Sequence, residues 1–111
     1  MFQGSLPFFN DNVAGTVVNI KSNGMALLCG LKVINTTAAA AYLQIFDVPA
    51  ASVVLGTTVP KWVIPLAASE TTNPSDMTPP IQFTGTGLSI AGTTTAGGNT
   101  GAQLKVAAWF M

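Results

Sequence analysis

Four carboxylates and one thiol are the side chains in this sequence with potential for acid–base, nucleophilic or metal chemistry. The carboxylates belong to Asp11, Asp47, Glu70 and Asp76 and the thiol to Cys29, while histidine is absent. Without histidine, the chain lacks the most common general base and the most common nitrogen ligand for metals. A single cysteine forms neither a thiolate zinc cluster nor an intrachain disulfide. The residue types therefore leave a pair of carboxylates as the candidate catalytic arrangement.

The sequence around these groups favours turns over catalysis. A glycosidase needs two carboxyl groups that face one bond, but all four acids have turn-forming neighbours, where Asp accepts backbone hydrogen bonds. The segment 10–12 (Asn-Asp-Asn) offers oxygens to calcium, but it lacks the glycine and the distal Glu of an EF-hand loop. Cys29 stands beside Leu28, which favours a small buried residue over a nucleophile. We therefore expect a protein that is not an enzyme, with no catalytic, metal-binding or cofactor-binding residues.

Charge is scarce in this chain. Charged residues make up 7% of its 111 residues, compared with about 25% in ordinary globular domains. Four lysines balance four acids, so the formal net charge is zero. A neutral surface with few charges offers little repulsion between copies, which favours association. Nucleic-acid binding is not expected, because the lysines are scattered along the chain instead of clustered: Lys21, Lys32, Lys61 and Lys105.

The composition predicts one domain with a real core. Hydrophobic residues make up 49% of the chain and the mean hydropathy is +0.50, which disfavours disorder. The longest apolar runs are far shorter than the roughly 20 residues of a membrane-spanning helix. The first seven residues lack the basic start and continuous apolar stretch of a signal peptide. We therefore expect no membrane partner, and a chain that stays in a cytoplasm until it assembles or is released.

Short apolar runs separated by turn signals predict an all-β fold. The pattern indicates an antiparallel β-sandwich, jelly-roll-like or barrel-like, with seven to eight short strands. Asn23-Gly24 is a hairpin signal, Gly30 suggests a bulge, and Pro65 indicates an edge or irregular strand. Four alanines at 38–41 keep a short helix open as a competing interpretation. The predicted strands are 13–20, 25–35, 41–47, 62–67, 81–84, 87–91 and 103–111, with short extended pieces at 52–55 and 57–59 and loops at 70–80 and 93–101.

The start of the chain is predicted to be an arm. We assign residues 1–12 to an N-terminal arm and residues 13–111 to a single β-sandwich domain, because an apolar Leu-Pro-Phe-Phe segment precedes the turn signal at 10–12. Phe8 and Phe9 cannot both face inward from one extended segment. The pattern leaves two placements open, since the arm can fold back on its own domain or cross to a neighbour.

Apolar residues near both ends of the chain are the candidate partner contacts. Trp109 and Phe110 point to opposite faces of the last predicted strand, so one can fill the core while the other meets a partner. An apolar last strand is easier to explain if another chain covers it. The predicted partner-contact residues are Leu6, Phe8, Phe9, Trp62, Trp109 and Met111.

Three segments resemble small β-sandwich proteins of tailed phages, some of which are capsid cement or decoration proteins. The segments are LKVINTTAAAAYLQIFD at 31–47, LGTTVP at 55–60 and GLSIAGTTT at 87–95, and the likeness covers most of the chain from residue 25 onward. The resemblance implies a structural protein of the virion that stabilises the phage shell through protein–protein contacts. It carries no catalytic motif.

The resemblance also implies partners and leaves one alternative. The implied partners are the chain itself, as a homotrimer or other symmetric oligomer, and the major capsid protein, with assembly in the host cytoplasm. The alternative is a β-sandwich binding module of a phage tail or fibre that recognises glycans or a host surface. In that case Trp62 or Tyr42 would stack on sugars.

Overall fold

The computed structural model describes residues 6–72 and 81–111. In this part of the chain, backbone pairing produces nine β-strands and one short 3₁₀ turn at Ala50–Ser52. The strands are β1 (Leu6–Val13), β2 (Val18–Lys21), β3 (Ala26–Asn35), β4 (Ala41–Phe46), β5 (Trp62–Leu66), β6 (Thr71–Thr72), β7 (Ile81–Phe83), β8 (Leu88–Thr93) and β9 (Leu104–Phe110).

Two antiparallel sheets pack face to face. Sheet A has the order β1-β9-β3-β6, with β7 also paired to β3, and sheet B has the order β2-β8-β4-β5. β7 pairs with the first residues of β3 and β6 with its last ones, so both take the same position beside β3. With β6 and β7 counted as one strand, the orders become 1-8-3-6 and 2-7-4-5, the arrangement of a jelly roll. The predicted antiparallel β-sandwich is confirmed.

The core lies between the two sheets and follows the alternation of each strand. Apolar residues that face inward from both sheets form one cluster, and burial of each large side chain contributes about 1.5–3 kcal/mol. Trp62, Phe8, Val18 and Phe110 are partly buried and pack against this cluster. The cluster includes Leu28, Leu31, Leu43, Ile45, Phe83, Leu88, Ile90, Leu104 and Val106.

The boundary predicted between an arm and the domain is corrected for residues 6–12. These residues belong to β1, which pairs with β9 from Leu6 opposite Phe110 to Asn10 opposite Val106. The turn signal at 10–12 produces a bulge within the strand, because the Asn12 N–H donates to Asn10 Oδ1 at 2.8 Å and the register shifts there. Residues 1–5 of the predicted arm lie outside the described residues.

Two other predicted elements are replaced by local turns or bends in the structure. The extended pieces predicted at 52–55 and 57–59 are not strands, because their backbone groups bond locally. Thr57 and Thr58 N–H both donate to Val54 O, and Gly56 has a φ of 86°, which closes a turn. The first two of the four alanines lie in a bend at 37–39 before β4, so the short helix is not present in this described segment. Pro65 lies on β5, an edge strand of sheet B, as predicted.

Asn35, at the end of β3, joins two turns through a fully bonded buried side chain. Its Nδ2 donates to Ala39 O and Ala67 O, both at 2.9 Å. Its Oδ1 accepts from Thr37 N–H at 3.0 Å and from Thr37 Oγ1 at 2.7 Å. Asn35 thereby ties the turn between β3 and β4 to the turn that follows β5.

Replacement of Asn35 by Ala is expected to lower the free energy of unfolding by about 3 kcal/mol, because it removes four partly buried hydrogen bonds that join the two turns. Guanidinium unfolding monitored by tryptophan fluorescence measures this change. Thr36→Ala is the matched control, since Thr36 is exposed on the same turn. Equal unfolding midpoints for the two variants would contradict the assigned role.

Candidate interaction surface

The outer side of sheet B is covered by the chain itself. β4 and β8 pair through Tyr42 opposite Thr93, Gln44 opposite Ala91 and Phe46 opposite Ser89. These pairs alternate with the core-facing Leu43 and Ile45, so they lie on the side of the sheet away from the core. All of them except the half-buried Tyr42 are nevertheless buried: Gln44, Phe46, Ser89, Ala91 and Thr93.

Two connections provide this cover, and hydrogen bonds hold both in place. For the connection between β4 and β5, Ser89 Oγ donates to Val48 O at 2.7 Å and the Ala50 N–H donates to Asn19 Oδ1 at 2.7 Å. For the connection between β8 and β9, Gln44 Nε2 donates to Gly98 O at 3.1 Å. Sheet B is therefore a middle layer with the core on one side and loops on the other.

Gln44 is the polar centre of this cover. Its Nε2 also donates to Thr93 Oγ1 at 2.8 Å, and Thr93 Oγ1 donates in turn to Thr95 O at 2.8 Å. The Oε1 of Gln44 is buried without a protein partner. A buried acceptor of this kind lowers the stability of the fold. The Nε2 of the same side chain holds the loop through its bond to Gly98 O.

The outer side of sheet A has no such cover from the described loops. Phe9, Ala107 and Lys32 form one row across β1, β9 and β3, and Pro7, Trp109 and Gly30 form the next. We call this surface the open face. It consists of Pro7, Phe9, Asp11, Leu27, Gly30, Lys32, Ile34, Lys105, Ala107, Trp109 and Met111, and every residue in it except the buried Gly30 is exposed or half-buried.

The open face is apolar at its centre. Phe9 is 70% exposed, and the small residues Ala107 and Gly30 lie beside the Trp109 ring. Lys32 and Lys105 border this area on β3 and β9. Exposed apolar patches of this kind, bordered by polar residues, mark protein interaction sites.

A cleft of about 250 Å³ lies at one end of the open face, where β3 begins and β9 ends. Met25 is 57% exposed and Met111 is 41% exposed at its sides. Lys21 Nζ donates to Met25 O at 2.6 Å, which fixes the turn beside the cleft. This turn carries the chain from sheet B to sheet A, so the hairpin indicated by Asn23-Gly24 is not formed. Methionine side chains adapt to the shape of an apolar guest. The lining residues are Lys21, Met25, Ala26, Leu27, Gln82 and Met111.

The predicted contact residues separate into two groups. Phe9, Trp109 and Met111 lie on the open face, and Leu6 is exposed at the end of β1. Phe8 faces the opposite side of β1 and packs against the core. Trp62 is on the other sheet, opposite the core residue Ile45, and it also packs against the core. The sequence reasoning missed Pro7 and Ile34, whose positions depend on strand register.

Among the described residues, the carboxylates and the thiol lie on different elements of the fold. Glu70 Oε1 accepts the Ala67 N–H at 2.7 Å in a turn, and Asp11 is exposed on β1. Asp76 lies outside the described residues. Within residues 6–72 and 81–111, no three His, Cys, Asp or Glu side chains gather into a metal-binding group. The same residues contain no helix long and apolar enough to cross a membrane.

Comparison of the chain with protein-family models, with curated proteins and with solved structures finds no match.

The Cys29 thiol is expected to be unreactive in the folded protein. Cys29 is 1% exposed, its Sγ lies 3.8 Å from Leu27 O, and burial raises the pKa of the thiol. Since the thiolate is the reactive form, a colorimetric thiol reagent at pH 8 should label the protein only after guanidinium is added. Rapid labelling of the native protein would contradict this placement.

Proposed function

We propose that this chain is a structural protein of a virus particle, a capsid cement protein that stabilises a phage shell through protein–protein contacts. The observation that carries the proposal is the contrast between the two sheets. The loops of the chain cover the outer side of sheet B, whereas the outer side of sheet A presents Phe9 and Trp109 to the surroundings.

Composition supports the same proposal. A chain with zero net charge and 7% charged residues has little electrostatic repulsion against copies of itself or against a neutral shell. On a particle, many copies occupy repeated sites, so each contact can be weak while the assembled coat is stable. The apolar open face supplies such a contact, because removal of apolar surface from water favours association.

The fold is compatible with this function without selecting it. Jelly rolls occur in viral capsid domains and also in lectins and cupins, and a fold alone does not assign a function. Segments 31–47, 55–60 and 87–95 resemble phage decoration proteins. This resemblance is the reason for proposing a virion protein instead of a lectin or a cupin. We also propose that the chain is located in the virion and that its partner there is the major capsid protein.

A glycan-binding or host-binding module of a phage tail is the second candidate, and the geometry gives it less support. Its stacking residue would be Trp62 or Tyr42. Trp62 packs against the core, and Tyr42 is half-buried on the covered side of sheet B. Neither ring is as exposed as Phe9, so we favour the cement protein.

Purified particles of the virus that encodes this chain should contain it in a fixed ratio to the major capsid protein, as measured by quantitative mass spectrometry. Ala107→Lys places a third lysine on the open face and should lower the amount bound at least ten-fold. Val59→Lys is the matched control, because Val59 is 85% exposed in the connection between β4 and β5. Particles without the chain would contradict the proposed function.

A further inference from the structure

We infer that two copies of this chain pair through the open face with two-fold symmetry, so that Phe9 of each copy enters the methionine-lined cleft of the other. The inference deepens the proposed function and rests on it for the assumption that the open face binds protein. It assigns the contact that the open face makes in the proposed coat to a second copy of the chain instead of to the shell.

The first argument is that the open face carries both a projecting group and a receptor for it. Phe9 is 70% exposed on the edge strand β1. The cleft of about 250 Å³ lies at the opposite corner, with Leu27 and Met111 on its walls. Its volume is large enough for one phenyl ring, and its thioether and isobutyl groups suit an aromatic guest.

The second argument is that the two features are too far apart to meet within one copy. Phe9 lies opposite Ala107 on β9, and Met111 is four residues further along, a distance of about 14 Å at 3.4 Å per residue. The cleft also lies across β9 and beside β3, further from the edge strand that carries Phe9. Contact between Phe9 and the cleft therefore requires a second molecule.

The third argument is the position of the midpoint between them. Halfway from Phe9 to the cleft lies Trp109, on the central strand of the three and in the row between Ala107 and Met111. A two-fold axis that lies in the interface and passes over Trp109 brings each Phe9 to the other copy's cleft. This arrangement is isologous, so both contacts form together and the dimer is closed.

The charges around the two features are complementary. Asp11 is exposed on β1, two residues from Phe9 and at the bulge of that strand. Lys21 lines the cleft. When Phe9 enters the cleft, the Asp11 carboxylate approaches the rim that holds the Lys21 ammonium. Opposite charges at the rim of an interface fix its register more than they strengthen it.

The size of the face determines the expected affinity. Strand spacing of about 4.8 Å and a rise of about 3.4 Å per residue give the apolar area dimensions of about 15 by 20 Å. This is well below the roughly 800 Å² per partner of a standard interface. We therefore expect a weak dimer that forms at micromolar or higher concentration and dissociates on dilution.

Sedimentation equilibrium over a hundred-fold range of concentration tests the dimer. The wild-type chain should show a monomer–dimer equilibrium, and Phe9→Ser should raise its dissociation constant at least ten-fold. Val59→Ser is the matched control, because it removes a comparably exposed apolar side chain from the other side of the molecule. A monomer at every concentration, or equal effects of the two substitutions, would overturn the inference.

A disulfide trap tests the proposed geometry. Phe9→Cys and Gln82→Cys lie on β1 and β7, which are separated by β9 and β3, about 14 Å apart at 4.8 Å per strand. This separation is too long for a disulfide within one copy. The doubly substituted chain should become a covalent dimer under mild oxidation, at least ten-fold faster than Phe9→Cys alone. Equal rates would contradict the two-fold contact between Phe9 and the cleft.

The outcome for the dimer is separable from the outcome for the proposed function. If the chain dimerises in solution but is absent from particles, the inferred dimer is supported and the cement role is contradicted. A particle-bound chain that is monomeric at all concentrations and gives no disulfide dimer keeps the cement role and removes the inference.

Discussion

Side chains alternate across each β-strand, so a two-layer sandwich has one shared inner core and two outer faces that must each be solvated or covered. In this chain Gln44, Ser89 and their hydrogen bonds to loop carbonyls cover one outer face. The cost is a buried Oε1 without a partner. The polar contacts of sheet B hold the β4–β5 and β8–β9 connections on one side of the molecule, and no described loop covers the outer side of sheet A.

The outer side of sheet A, which no described loop covers, is consistent with the low charge content of the chain. In ordinary domains, surface charges keep the exposed faces of different molecules apart. The outer side of sheet A instead presents Phe9, Ala107 and Trp109, with two lysines at the border. The exposure of such a surface to water is avoided when a partner covers it. When the chain is free in solution, the same surface favours association. The edge strand β1 limits uncontrolled pairing, since Pro7 and the bulge at 10–12 interrupt a regular edge. The interrupted edge is therefore a poor template for strand pairing with another chain.

Strand type and approximate position were predictable from apolar alternation and turn residues, as at β4, β5 and β9. The shift of register between Leu28 and Gly30 was also indicated by the glycine. Three features were not predictable. The strand β1 was taken for an arm because Asn and Asp signal both turns and bulges. The connection after β4 contains β-branched residues, yet it bonds locally. The placement of Trp62 in the core and of Phe9 outside depends on register between distant strands, which no single segment encodes.

Amine labelling of the four lysines tests the central claim that assembly buries sheet A and leaves sheet B outward. Lys32 and Lys105 lie on the open face, while Lys61 is exposed in the connection that follows β4. Acetylation followed by mass spectrometry compares dilute protein with assembled protein. The account predicts that Lys32 and Lys105 lose reactivity on assembly, whereas Lys61 keeps it. Protection of Lys61 with unchanged labelling of Lys32 and Lys105 would contradict the account.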